Sequence, residues 1–283
     1  MDDLFVPADV LPARANPRFV RSYLNWIGRF ILRLVRTIHG LGAFALITVG
    51  VTLTKFWKAS GVVHPLISAE IHRAGVRLLP MISFLAFALG LVVIGQTVSL
   101  LNRVGAENYL GIVMVTVVVR ELGPLATALL VLARVGTAIV IELSTSRATG
   151  EVEALEALGI DPIHYLVMPR VLGLAISIFA LTVYLIIMAL LSGYLFAFIQ
   201  DVPLRPGEYF SQLANSLGYP DFILLALKTV TFGAVIAVVT SYQGLARPVR
   251  LDEVADVTTR AVVQSVIACV VFDALFILVY LIM

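Results

Sequence analysis

Apolar runs dominate the chain, and their lengths predict membrane-crossing helices. Leu78–Leu101, Tyr109–Leu143, Val171–Ile199, Phe222–Tyr242 and Ala261–Met283 each reach the roughly 20 residues such a helix needs. Leu41–Trp57 lies at about the lower length limit and is read as a re-entrant segment. Before it, Arg18, Arg21, Asn25, Arg29, Arg33 and Arg36 recur at steps of three and four, with Phe19, Tyr23, Trp26, Ile27, Phe30, Ile31 and Leu34 filling the other face. That pattern predicts a basic amphipathic helix lying in the headgroup plane. Residues 1–17 carry three aspartates and three prolines and no apolar core of a signal peptide, so a flexible tail is expected. The expected fold is therefore all-α and membrane-embedded. It has a tail over 1–17, interfacial and re-entrant helices over 18–77, and a five-span domain over 78–283.

Composition agrees with that reading. The chain is 60% hydrophobic and 13% charged, with a mean hydropathy of +1.01, whereas soluble domains carry about 25% charged residues. A net charge of +2 points to no nucleic-acid partner. Cys269 is the only cysteine, which excludes an intrachain disulfide.

The placement of charge sets the topology. If Leu41–Trp57 does not cross, fifteen Lys and Arg residues fall on one side, and Arg103 and Arg205 alone on the other. Basic residues concentrate in cytoplasmic loops, so the N-terminus is expected in the cytoplasm and the C-terminus outside it. Tyr109–Leu143 would extend about 52 Å as one straight helix. A break or kink is expected at Gly123–Pro124, because proline removes a backbone donor. The carbonyls so freed need cover from protein or a cavity.

Six ionisable residues lie inside the predicted spans: Arg120, Glu121, Arg134, Glu142, Lys228 and Asp273. An isolated charge at the bilayer centre costs about 2.5–3.5 kcal/mol on insertion scales. Glu142 sits near the cytoplasmic end, and Arg134, two turns away on the same face, is expected to snorkel with it. Arg120, Glu121, Lys228 and Asp273 occupy three spans. They suit either interhelical ion pairing, Glu121 with Lys228 for example, or a polar patch in a lipid-lined cavity.

Ser146–Gly159 is too polar to span and reads as a short cytoplasmic helix with Gly159 as its stop. Glu151, Glu153 and Glu156 among Val152, Leu155 and Leu158 suit a groove on another protein better than an anionic lipid surface. Asp161–Pro162 then turns the chain back. No phosphate-binding loop, zinc-protease motif, serine-hydrolase elbow or cysteine–histidine metal spacing occurs, so no catalysis, cofactor or metal is expected in this chain.

The run RELGPLATALLVLARVGTAIVIELSTSRATGEVEALEALGIDPIHYLVMPR, from Arg120 to Arg170, resembles the signature of MlaE-type permeases. The resemblance extends from about Gly75 to the C-terminus, through Gln96, AENYLG at 106–111, Lys228 in LKTVTF, YQG at 242–244 and VTTRAVVQS before Asp273. It implies the permease subunit of an ABC transporter of the bacterial inner membrane. Such subunits form homodimers, work with a cytoplasmic ATPase that binds the ATP and with a periplasmic MCE-domain lipid-binding protein, and move phospholipid or related lipid. Mapped onto this chain, Arg120, Glu121, Lys228 and Asp273, with Val93, Gln96, Leu100 and Leu101, would line the lipid cavity. Glu151, Glu153, Leu155, Glu156, Leu158 and Asp161 would meet the ATPase. Two rivals remain: an ion-coupled secondary transporter using Glu121 and Asp273, and a membrane-embedded lipid enzyme with Glu121 as base.

Overall fold

A computed structural model describes residues 39–52, 60–106, 109–199, 206–246 and 250–282. The expected tail, the amphipathic helix over 18–39 up to His39, and the end of the re-entrant segment lie outside the described residues. The chain divides into two units, Met1–Ala43 and Phe44–Met283.

Every described element is helical. A short apolar helix, α1 (His39–Thr52), precedes five helices long and apolar enough to cross a membrane: α2 (His64–Leu101), α3 (Leu110–Ala148), α5 (Ile163–Phe196), α7 (Tyr219–Leu245) and α8 (Leu251–Ile282). Between them lie α4 (Glu151–Ala157) and α6 (Pro206–Ser216). At about 1.5 Å per residue α1 reaches only about 21 Å, short of the roughly 30 Å hydrocarbon thickness. α5 and α7 form the centre of the bundle. α2 packs on α5, while α8 packs on α7 and on the end of α3. The buried face runs from Ile82 and Ile94 on α2 through Met114, Val131 and Ile139 on α3 to Leu174, Leu185, Phe232 and Ile236.

Two boundaries differ from the sequence reading. The helix that leads into the first span begins at Ser60, and the apolar span itself runs from His64 rather than Leu78. Glu70, His72 and Arg73 disguise this start. A 3-10 turn at Val76–Leu78 carries the chain into the regular helix Leu79–Leu89, which has proline in its first turn. There proline sacrifices no internal hydrogen bond. The second difference is in α3, which runs unbroken through Gly123–Pro124. A wide-turn π segment, Val115–Leu122, precedes the proline, and Gly123 keeps helical dihedrals of −58° and −58°.

α3 also absorbs Ser146–Ala148, leaving α4 with seven residues. Gly150 at φ +79° and Gly159 at φ +74° bracket it, a conformation costly for any residue with a Cβ. At its end Gly159 N–H donates to Glu156 O and Ile160 N–H to Leu155 O, both at 3.0 Å. That pair of bonds is a Schellman stop.

Sequence reading missed α6. Its apolar side buries Tyr209 and Leu213 against the start of α3. Tyr209 stacks near Tyr194 and Phe210, with centroids 5.3 Å away in each case. Burial pushes its phenol well above the ordinary range, so the hydroxyl stays protonated and donates to Leu190 O at 3.2 Å.

Candidate functional site

The site is assembled around a backbone defect. Pro124 has no N–H, so the carbonyl four residues earlier, that of Arg120, loses its usual helical donor. Lys228, reaching across from α7, supplies one: its Nζ donates to Arg120 O at 2.8 Å. The same ammonium donates to Glu121 Oε2 at 2.9 Å and pairs with Asp273 Oδ1 at 2.7 Å. Two hydrogen bonds and an ion pair thus converge on one ammonium, and the Lys228 side chain is fully enclosed. A buried charge is tolerable only when paired and hydrogen-bonded, and here each partner comes from α3 or α8.

Arg120 points the other way. Its Nε lies 2.8 Å from Asp221 Oδ1, and its guanidinium sits 4.9 Å from the centroid of the Tyr280 ring, within cation–π range. Asp221 is itself fixed by accepting the Gly218 N–H at 2.9 Å, a cap on the first turn of α7. A cleft of about 390 Å³ opens beside these groups, lined by Arg120, Asn215, Ser216, Gly218, Asp221 and Tyr280 among others. Arg120 and Glu121 keep 30% of their side chains exposed, against none for Lys228. In this arrangement Lys228 holds the helices together, while Arg120 and Glu121 are the groups that a ligand could reach.

The structure therefore gathers Arg120, Glu121, Lys228 and Asp273 into one network and adds Asp221 and Tyr280 to it. Asp221 fell just before the predicted fourth span, where the Gly218–Asp221 spacing of a helix cap was the available signal. No comparable signal marks Tyr280 near the chain's end. Val93, Gln96, Leu100 and Leu101 stand apart on α2. Gln96 and Leu100 are exposed, Val93 is half-buried, and Leu101 packs partly against the core.

A second network occupies the other end of the bundle. Arg170 on α5 donates from Nη1 to Leu166 O at 2.7 Å and from Nη2 to Glu142 Oε1 at 3.0 Å, and its Nε lies 3.7 Å from Glu70 Oε1. Arg73 donates to the other Glu142 oxygen at 2.7 Å. Glu142, expected to reach the headgroups, is held between two arginines and keeps 43% of its side chain exposed. Arg134 joins neither network.

α4 leaves this end of α3. Val152 alone is buried, while Glu151, Glu153, Ala154 and Glu156 face outward and Leu158 is 76% exposed. Leu155 is half-buried. Glu153 lies 3.3 Å from Arg147 Nε, which ties the helix to its own chain. Asp161 Oδ1 accepts the Ile163 N–H at 3.0 Å, giving that carboxylate a local task in opening α5.

Comparison with known proteins narrows what this arrangement belongs to. Residues 67–279 match the family model described as Permease MlaE. A probable ABC transporter permease protein of Rickettsia prowazekii is 32% identical over 249 residues, covering 88% of this chain and 94% of the relative. One from Rickettsia typhi is 30% identical over 256 residues, with 89% and 95% covered. The intermembrane phospholipid transport system permease protein MlaE of Haemophilus influenzae is 28% identical over 202 residues, covering 71% and 77%. The match reaches into all five long helices and takes in every charged residue of both networks, and the chain belongs to the MlaE permease family.

Proposed function

We propose that this chain is the membrane subunit of an ABC transporter that moves phospholipid between the inner membrane and an MCE-domain partner. Two copies would pair in the membrane, and a separate cytoplasmic ATPase would supply the energy. The observation that carries this reading is α4. A seven-residue helix held by glycines at both ends, docked through Val152 and offering Glu151, Glu156 and Leu158 outward, has the form of a handle for another protein. So short a helix is marginal alone in water. The phospholipid assignment is supported by the name of the Haemophilus relative. The excess of basic residues on the side of α4 supports a cytoplasmic N-terminus and a C-terminus on the opposite face.

In this mechanism, ATP-driven closure of the motor subunits shifts α4 and with it α3, so that the space between the two copies narrows. Lipid tails would lie along apolar walls such as Leu100, and Arg120 would meet polar groups at the cleft. Glu121 and Asp273, the carriers of an ion-coupled alternative, are both held by Lys228, which does not favour that route.

The test is co-purification. Complex carrying Glu151→Lys with Glu156→Lys is expected to lose its ATPase subunit while the permease itself still purifies intact. Undiminished ATPase recovery overturns the assignment of α4.

A further inference from the structure

Among the described residues, Arg134 is the one charged side chain in the middle of a span that neither network uses. It is exposed on α3, on the wide turn Leu132–Gly136. Among the described residues no carboxylate lies within ion-pair distance of it. Glu142 lies about 12 Å along the same helix and Glu121 about 20 Å the other way, so Arg134 falls well inside a hydrocarbon layer of roughly 30 Å.

Snorkelling toward the nearer headgroups works against the helix. Helical side chains slant toward the helix N-terminus, which for α3 is the end away from Glu142 and α4. That slant favours a deeper guanidinium. A second copy of the chain has no anion to spare at this depth. Glu121 and Asp273 are held by Lys228 and Asp221 by Arg120. Glu70 and Glu142 are held by Arg170 and Arg73. A guanidinium inside the membrane pairs with an opposite charge or a carbonyl, or faces a watery cavity, and the described carboxylates at this depth are all committed elsewhere.

We infer that Arg134 binds the phosphate of the transported lipid as it passes along α3. The inference rests on the lipid-permease reading above. The surrounding exposed face is shaped for such a guest. Ala133 and Ala138 leave room beside the guanidinium, Leu129 and Ile141 offer apolar surface above and below it, and Thr137 turns its hydroxyl back to Ala133 O at 2.8 Å. The planar guanidinium fork matches phosphate oxygens in pairs.

The experiment places a photo-crosslinking amino acid at Ala133 in the full complex, reconstituted in vesicles of radiophosphate-labelled phosphatidylethanolamine and phosphatidylglycerol. Labelled lipid is expected to attach at this position, to decline during ATP turnover, and to fall by about tenfold or more with Arg134→Ala, as loss of a charge-assisted contact predicts. Arg134→Lys should keep much of the capture, and Arg134→Gln, closer in size, should lose it in a complex that still assembles. Capture unchanged by Arg134→Ala, or attachment to the second copy instead of lipid, overturns the inference. So does capture that persists undiminished through turnover, which would mark an ordinary bilayer lipid. A wild-type complex that moves no labelled lipid between vesicles brings down the permease reading itself, and the inference with it.

Discussion

Two charge networks brace this bundle, and they are built on opposite terms. At the Lys228 end one enclosed ammonium serves two carboxylates and a backbone carbonyl. At the Arg170 end two arginines share two glutamates, and Arg73 and Glu142 keep 37% and 43% of their side chains exposed. The first turns on a lysine that no water can reach if a partner is lost. The second buries Arg170 and Glu70 but leaves Arg73 and Glu142 close enough to water to be solvated when a partner is lost. Identical charges therefore carry different structural weight according to what replaces a lost partner.

The largest expected effect tests the sealed network. Lys228→Met strands Glu121, Asp273 and the Arg120 carbonyl together, and breaking a buried pair in this way typically costs about 3–5 kcal/mol. Thermal unfolding of the purified protein in detergent should show a large drop, and a negligible one would mean that water enters the network. A smaller effect isolates the backbone part of it. Pro124→Ala restores the N–H that Arg120 O lacks, so adding it to Lys228→Met should recover about 1 kcal/mol, the net worth of one hydrogen bond. Absence of any recovery would separate the lysine from the proline. The smallest effect belongs to the exposed network. Glu142→Gln should change stability by less than about 1 kcal/mol and more weakly still at high salt. A loss as large as that of Lys228→Met would erase the contrast.

How far these networks could be read in advance depends on what each residue announces. Arg120, Glu121, Lys228 and Asp273 stand alone in apolar runs, where the expense of charge demands a partner, and their meeting across three helices follows from that. Glu70 and Arg73 stand among other polar residues, so the apolar pattern places the start of the first span too late. Their lateral pairing with Glu142 and Arg170 lies beyond the reach of local pattern. Gly123–Pro124 stands out in the sequence as a defect, yet the helix continues through it without a break. A kink is one way to accommodate a missing donor, and a wide turn with a lysine capping the spare carbonyl is another. Local sequence does not choose between them, because the lysine is supplied from a distant helix. Arg134 was visible as a charge, but its isolation depends on where every other carboxylate is committed.

That α3 is unbroken has a mechanical consequence. A kinked helix would absorb a push at one end by bending at its joint. A continuous rod of this length, about 58 Å at 1.5 Å per residue, instead behaves as a stiff lever. A tilt of only about 5° displaces its far end by about 5 Å relative to the near one. Motion imposed beside α4 is thereby carried along one continuous helix, through the wide turn Leu132–Gly136, to the turn that holds Arg120 and Glu121.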